Sequence, residues 1–225
     1  MNKVLVVIML FGVLMAGFYG YQWWDGTKAA EKVPMEETEG WSKPDNEPVS
    51  TEAGKLSSQI NDVETQKTQE SKFTEHVTMS EEISKYEKGE NVGRVVIPSI
   101  EMGYETFWGA DPEVLRQGVG MYVSEWTTTP EEKRHTVLSG HRETVFTELG
   151  DVKKGDSIFV EYDGKRYEYK VEKMWVTDAD DRSVIVEKDE ATLTLSTCYP
   201  LDFIGDAPDR YIIQSKLINV NDMDK

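Results

Sequence analysis

The chain opens with an unbroken run of apolar residues. No charge occurs from Val4 to Trp24, a run of 21 residues, and its last part is rich in Tyr and Trp. At about 1.5 Å per residue, a helix of that length would span about 31 Å, close to the hydrocarbon thickness of a bilayer. Aromatic residues at the end of such a run are typical of the membrane–water boundary. We therefore expect an N-terminal membrane anchor over residues 1–24.

Two other interpretations of this run are weaker. A cleaved signal peptide has a shorter apolar region and an A-x-A-like cleavage site, whereas residues 15–18 read MAGF. A buried core helix would not be followed directly by a long polar tract. Lys3 and the terminal amine should stay on the inner side of the membrane. We therefore expect a single-pass protein of the cell membrane, with the rest of the chain on the extracellular face.

A polar tract follows the anchor. Residues 25–90 hold 16 acidic and 8 basic residues, a net charge of −8, and show no sustained hydrophobic period. Such a composition cannot bury enough apolar surface to offset the entropy of ordering the chain. We therefore expect an acidic flexible linker over 25–90, with at most a short capped helix near 80–88.

From residue 91 the pattern changes to short β-branched runs separated by Gly, Pro and Asp. These runs predict strands at 92–97, 102–108, 136–141, 157–162, 165–176, 191–198 and 210–218. Asp163-Gly164 is a strong signal for a two-residue hairpin, and Asp111 before Pro112 predicts a short helix. About eight strands with little helix favour an all-β domain over 91–225, a barrel that leaves no exposed edge. A parallel α/β sheet is disfavoured because no long helices alternate with the strands.

Composition narrows the possible partners. The formal net charge is −17, with 42 acidic against 25 basic residues, which argues against nucleic acid as a partner. One cysteine excludes an internal disulfide framework and a Cys-rich metal site, and a count of only three histidines argues against a His-built metal centre. We expect no metal ion and no cofactor. The acidic cluster at 178–181 is predicted as a solvated turn, since it lacks a calcium-loop signature.

The single cysteine, Cys198, ends a clean strand pattern, TLTLSTC at 192–198. Pro200 follows two residues later and cannot donate to a strand ladder, so the thiol is expected at the mouth of a strand. Free cysteines are usually buried and structural, and the local pattern fits either role. On the outside of the cell a lone cysteine cannot form an internal disulfide.

His141 ends a similar run, VLSGH at 137–141, in which Gly140 permits a close approach. A histidine at a strand end is more often a surface residue, but an imidazole beside a thiol makes the sulfur a better nucleophile. His135 lies six residues earlier, on the same face by strand alternation. Its polar, loop-like setting makes it the second choice. His76 lies in the predicted linker.

Arg210 opens the last predicted strand. If the strands of Cys198 and Arg210 pair antiparallel, the end of one lies beside the start of the other. A guanidinium near the sulfur could then stabilise an oxyanion; without this topology it would be a solvated surface group. Arg142 is expected to point to the face opposite His141, and Arg182 is expected to be a surface charge.

Several motifs together resemble the sortases, the membrane-anchored cysteine transpeptidases of Gram-positive bacteria. They are, in the family's order, GRVVIP at 93–98, LRQGVG at 115–120, LSGHRET at 138–144, LTLSTCYP at 193–200 and DRYI at 209–212. The resemblance covers residues 93–217. The Cys-Tyr-Pro signature and the short loop from Cys to Arg are most similar to class D sortases. His135 is a departure, because many relatives carry a small polar residue there.

This resemblance implies an eight-stranded β-barrel with His141, Cys198 and Arg210 as catalytic residues. Cys198 would attack the Thr carbonyl of an LPXT-type sorting signal, near the C-terminus of a secreted protein, and form a thioester. His141 would protonate the leaving amine and deprotonate the incoming one, while Arg210 would hold the oxyanion or the substrate backbone. An amine of peptidoglycan or of its lipid-linked precursor would resolve the thioester. The loop at 176–190 would correspond to the family's substrate-recognition loop.

Other functions stay open on the sequence alone. The L,D-transpeptidases carry a Ser-His-Gly-Cys core, unlike STC at 196–198, and papain-like proteases place Cys before His. A hydrolase with the same three residues is an alternative, because water also resolves a thioester. From a different class, the outer domain could be a non-catalytic adhesion or assembly module with a buried Cys198.

Overall fold

The computed structural model describes residues 3–42, 85–202 and 205–223. The strands of these residues are β1 Ala30–Lys32, β2 Asn91–Ile97, β3 Met102–Trp108, β4 Val119–Tyr122, β5 His135–Ser139, β6 Ser157–Tyr162, β7 Lys165–Asp178, β8 Thr192–Tyr199 and β9 Asp209–Asp222. The α-helices are α1 Lys3–Thr27, α2 Met35–Thr38 and α3 Pro112–Leu115, and short 3-10 turns cover Pro98–Ile100, Pro130–Glu132 and Leu149–Asp151.

Strands β2 to β9 form a closed barrel. They follow the order β3-β2-β6-β7-β9-β8-β5-β4, and β4 returns to pair with β3. Neighbours are antiparallel except for two parallel pairs, β3 with β4 and β5 with β8. Closure leaves the barrel without a long free edge. The prediction of an all-β, eight-stranded barrel with short helices is confirmed.

The barrel interior is filled by side chains and is not an open channel. Residues from different strands, such as Val95, Tyr104, Leu138 and Leu195, are fully buried in one continuous cluster. The Tyr104 ring packs edge-to-face on Phe146, with centroids 5.4 Å apart, a geometry that aromatic rings prefer. This core fixes the strands whose ends carry the chemically reactive side chains.

Most predicted strands match the observed ones to within a few residues, but β4 was missed. It has four residues, VGMY, with a glycine in second place, and so carries too little pattern to be seen in the sequence. Its extended conformation comes from its neighbours, because β3 pairs with one edge and β5 with the other. β7 and β9 are each 14 residues long, longer than predicted, and they pair along their whole length.

A short strand after the long apolar helix joins the barrel. β1 pairs antiparallel with the first half of β3, from Ala30 opposite Tyr104 to Lys32 opposite Met102. The second half of the same β3 edge is occupied by β4, starting at Thr106. β1 therefore covers the part of the β3 edge that β4 leaves open, where exposed backbone groups would otherwise invite another chain.

Residues beyond β1 also pack on the barrel. Val33 is fully buried against Val96 and Phe159, and Trp41 packs edge-to-face on Phe159, with centroids 5.3 Å apart. The Arg166 guanidinium carbon lies 3.4 Å from the centre of the Trp41 ring, a cation–π contact.

Residues 29–42 thus differ from the predicted flexible linker. The average composition of residues 25–90 is polar, but the segment includes isolated apolar residues, such as Val33 and Trp41, that pack on the surface of the barrel. The predicted helix near 80–88 falls partly outside the described residues, and residues 85–88 form a bend and a turn. The remainder of the predicted linker, residues 43–84, also lies outside the described residues.

Candidate active site

The parallel pairing of β5 and β8 brings a histidine next to the cysteine. Ser139 pairs with Ser196 at the end of this ladder. His141 and Cys198 each lie two residues beyond that pair, on neighbouring chains about 4.8 Å apart. Both side chains are half-buried, and both line the same cavity.

The antiparallel pairing of β8 and β9 brings the arginine to the same place. Cys198 lies directly opposite Arg210 in this ladder, and Arg210 in turn lies opposite Thr177 of β7. Side chains of directly opposed residues start about 5 Å apart. The topology expected for Cys198 and Arg210 is therefore the one observed.

A pair of hydrogen bonds fixes the spacing between the two chain segments. The Gly140 amide donates to the Ser196 carbonyl at 3.1 Å, and the Thr197 hydroxyl donates back to the Gly140 carbonyl at 2.8 Å. A Cβ on Gly140 would lie 2.7 Å from side-chain carbons of Val145 and Phe146. Only glycine therefore allows this close approach directly before His141.

Cys198, His141 and Arg210 line a cavity of about 370 Å³ at one end of the barrel. Leu115 and Tyr122 contribute apolar and aromatic surface to it, and residues 177–185 form another wall. The thiol is half-buried and faces this cavity, which is not expected of a cysteine that only fills a core. A cavity of this size with a few polar groups converging on it is typical of a small-molecule or peptide site.

Arg210 is held by its own loop. Its Nη1 donates to the carbonyl oxygens of Ala207 at 3.0 Å and Asp209 at 2.9 Å. Within the described part of the chain, its Nε and Nη2 have no hydrogen-bond partner. The guanidinium is thus oriented at one nitrogen and retains donors for a ligand in the cavity.

Arg142 does not lie on the sheet face predicted for it. Strand β5 ends at Ser139, so the alternation rule no longer applies, and the Arg142 side chain is 1% exposed. It donates to the carbonyls of Pro200 at 2.7 Å and Gly205 at 2.6 Å, and to the Glu143 carboxylate at 3.0 Å. Arg142 therefore joins the chain after His141 to the loop that connects Cys198 with Arg210, a positioning role that sequence reasoning missed.

His135 is buried, at 1% exposure, and the loop-like setting predicted for it is wrong. Gln214 donates to the Thr194 hydroxyl at 3.2 Å, so that hydroxyl can donate in turn to Nε2 of His135 at 2.8 Å. Nδ1 of His135 then donates to the Val186 carbonyl at 2.7 Å, a tautomer assigned from this network. His135 does not line the Cys198 cavity; it ties the loop after β7 to the barrel.

The acidic loop after β7 is a hydrogen-bonded turn. The Asp181 carboxylate accepts from the Ser183 hydroxyl at 2.6 Å, from the Thr177 hydroxyl and from the Ser183 amide at 2.9 Å, and these bonds lower the pKa of Asp181. Arg182 is exposed, as predicted. Over residues 3–42, 85–202 and 205–223, no group of three or more His, Cys, Asp or Glu side chains could hold a metal. His76 lies outside the described residues.

Comparisons with known proteins agree with this geometry. Residues 95–218 match the family model described as the sortase domain. Sortase D of Bacillus subtilis is 37% identical over 135 residues, which cover 60% of this chain and 67% of that protein. Sortase A of Listeria monocytogenes is 30% identical over 117 residues, which cover 50% of this chain and 51% of that protein.

Solved structures show the same similarity. The catalytic domain of B. anthracis SrtD is 54% identical, with a TM-score of 0.54 over 60% of this chain and 92% of that one. A Clostridium perfringens sortase C structure with the C-terminal cell wall sorting motif is 25% identical, with a TM-score of 0.54 over 63% of this chain and 88% of that one. The fold and the family resemblance inferred from the motifs are thus supported independently.

Replacing Thr197 by Val should destabilise the barrel by about 1–2 kcal/mol, because the buried Gly140 carbonyl loses its donor. Thr192→Val on the same strand is the matched control, since its hydroxyl bond to the Glu190 carbonyl is exposed and water can replace it. Denaturant unfolding of both variants measures the difference. Equal losses would contradict a specific role for the Thr197 bond.

Burial lowers the pKa of His135 below its usual 6.5, against the raising effect of its Val186 hydrogen bond, and Lys188 lowers it further. Folding therefore favours the neutral imidazole. This contribution to stability is complete above pH 6.5 and is lost as the pH falls from 6.5 through the folded pKa. Unfolding free energies measured across this range should fall more steeply for the wild type than for His135→Gln. Parallel pH profiles would contradict the assignment.

Proposed function

Because the chain belongs to the sortase family of cysteine transpeptidases, we propose that it cleaves an LPXT-type sorting signal and transfers the released protein to an amine. Its similarity to sortase D proteins groups it with class D. The observation that carries the proposal is the convergence of Cys198, His141 and Arg210 on one cavity. These residues come from three separate segments, and their meeting at an open barrel end supports a shared role in one reaction.

In the first step, the Cys198 sulfur attacks the carbonyl carbon of the Thr in the sorting signal. The peptide C–N bond after that Thr then breaks, and His141 donates a proton to the leaving amine. The products are a thioester on Cys198 and the released C-terminal fragment of the signal. The neighbouring positions of His141 and Cys198 at the ends of two paired strands support this division of roles.

Arg210 stabilises the negative charge that develops on the Thr carbonyl oxygen. Its Nη1 is already bound to the Ala207 and Asp209 carbonyls, so little side-chain freedom is left to lose when the substrate binds. A planar guanidinium can also hold a substrate backbone carbonyl through two donors at once. Such preorganised donors act on the transition state more than on the bound substrate.

In the second step, an amine attacks the thioester. His141 accepts the proton from this amine, a peptide bond forms to the Thr carbonyl, and the Cys198 sulfur leaves. We propose that the amine belongs to peptidoglycan or its lipid-linked precursor, and that the clients are secreted proteins with a C-terminal sorting signal. The C. perfringens sortase C structure carrying a cell wall sorting motif supports a peptide of this kind as substrate.

The loop after β7 is proposed to recognise the sorting signal. A second cavity of about 770 Å³ adjoins the first and shares four lining residues with it, Tyr122, Ala179, Asp181 and Ile185. Exposed apolar side chains, including Trp126 and Val186, line this second cavity. Because they share lining residues, the two cavities form one continuous groove, and His135 holds one side of it through Val186.

Helix α1 is proposed to anchor the enzyme in the cell membrane, with the barrel on the extracellular face. The helix has 25 residues and is long and apolar enough to span a bilayer. Every residue from Lys3 to Tyr21 is exposed, as expected if lipid surrounds the helix. Lys3 on the inner side and Trp23 and Trp24 near the outer boundary match the pattern of a single-pass anchor.

Replacing Cys198 by Ala should abolish peptide cleavage and transfer while leaving the fold intact, since the nucleophile is lost with little volume. Mass spectrometry of the wild type, incubated with a sorting peptide library, should show an acyl adduct on Cys198. Adding an amine acceptor should yield transfer product in place of hydrolysis product, because the amine competes with water for the thioester. A thiol that resists soluble alkylating reagents in the folded protein would favour the non-catalytic module, and full activity of Cys198→Ala would falsify covalent catalysis.

Replacing Arg210 by Lys should lower kcat/KM roughly 10²–10³-fold, because an ammonium ion cannot reproduce the planar fork. Arg94→Lys is the matched control, since Arg94 lies on β2, pairs with Glu31 and does not line the cavity. Steady-state peptide transfer measures both variants. A near-normal rate for Arg210→Lys would remove Arg210 from the mechanism.

A further inference from the structure

The end of helix α1 touches the barrel at a place that adjoins the active site. Gly26 is the buried residue of the helix. A Cβ on Gly26 would lie 3.2 Å from both the Arg116 carbonyl oxygen and the Thr144 Cγ2 atom. The last turn of the helix is therefore seated against these two residues.

Both contact residues belong to segments that build the catalytic cavity. Arg116 follows Leu115, which lines the cavity. Thr144 lies in the turn that begins at His141, whose carbonyl accepts from the amides of Val145 at 3.2 Å and Phe146 at 3.0 Å. The helix thus leaves the barrel at the end that carries the thiol, the imidazole and the guanidinium.

The rest of the helix points away from the barrel. All residues from Lys3 to Tyr21 are exposed, so α1 projects outward and does not lie along the strands. β1 follows the helix closely and is fixed to β3 by its ladder, which limits swinging at the junction. Aromatic residues such as Trp23 and Trp24 place the membrane boundary at this same end of the helix.

We propose that the barrel sits with its active-site end facing the bilayer, so that the catalytic cavity opens beside the lipid headgroups. This orientation rests on the membrane anchoring proposed above. Sorting peptides then reach the cavity along the membrane surface, and the opposite end of the barrel faces the outer medium. The hairpin at Asp163-Gly164 and the end of β9 at Asp222 mark that opposite end, because Lys165 pairs with Asp222 and Thr177 with Arg210.

Charge attraction does not hold this orientation. The loops at the active-site end carry several acidic residues, among them Asp178, Asp180 and Asp209, and anionic headgroups would repel them. The contact of Gly26 with Arg116 and Thr144, together with the short link from α1 to β1, holds it instead. Uncoupling α1 from the barrel should abolish the orientation even though the anchor and the β1 ladder remain.

Energy transfer to labelled lipid headgroups tests the proposal on the full chain in phosphatidylcholine vesicles. Donor dyes are placed on Asp180→Cys or Asp222→Cys, each in a Cys198→Ala background, which leaves one thiol. Asp180 lines the groove, and both aspartates are exposed. Residues 210 and 222 of β9 are roughly 40 Å apart at about 3.3 Å per residue, so transfer should be several-fold stronger from residue 180 than from residue 222.

The second part of the experiment repeats the measurement with a 20-residue Gly/Ser spacer inserted between Thr27 and Lys28. As a flexible chain, this spacer has an end-to-end distance of about 25 Å. It should reduce the difference between the two labels to little or nothing. Equal transfer without the spacer, stronger transfer from residue 222, or a difference that survives the spacer would overturn the proposal. Failure of the full chain to float with vesicles would overturn the proposed anchoring as well. Peptide transfer by the unlabelled wild-type chain in detergent reports separately on the proposed catalytic activity.

Discussion

The parallel pairing of β5 with β8 is the constraint on which the site depends. An antiparallel pair would place the carboxyl ends of these two strands at opposite ends of the barrel. His141 could then not lie beside Cys198. The antiparallel partner β9 then adds Arg210 from its starting end. A thiol, an imidazole and a guanidinium are thus brought to one end of the barrel by backbone ladders.

Buried polar side chains hold the loops around this point. Arg142 binds the carbonyls of Pro200 and Gly205, and His135 binds the Val186 carbonyl. Buried groups of this kind are expensive unless every donor finds an acceptor. The loops are therefore restricted to conformations in which these donors keep their acceptors. Although the site is formed partly by loops, these bonds give it the rigidity of the barrel.

Particular residues show which features of the structure could be predicted from the sequence. The Asp163-Gly164 turn and the strands around Cys198 and Arg210 follow from local pattern, because each depends on neighbours in the chain, whereas the antiparallel pairing of those two strands is seen only in the structure. β4 and the burial of Val33 do not follow from local pattern, because four residues or one valine carry no periodic signal. Arg142 and His135 were misplaced for the same reason: their partners lie more than 50 positions away in the chain, and strand alternation says nothing about a turn or a distant carbonyl.

The sequence by itself determined the long apolar helix, the all-β class and the candidates for the reactive residues, since hydrophobic length, alternation and residue chemistry are local properties. Only the tertiary structure decided that β1 completes the edge of β3, that Arg142 binds the loop between β8 and β9, and which end of the barrel lies next to the helix. Each of these depends on pairing and packing between segments that are distant in the chain. Their relative positions are set by the whole core, and no local pattern encodes them.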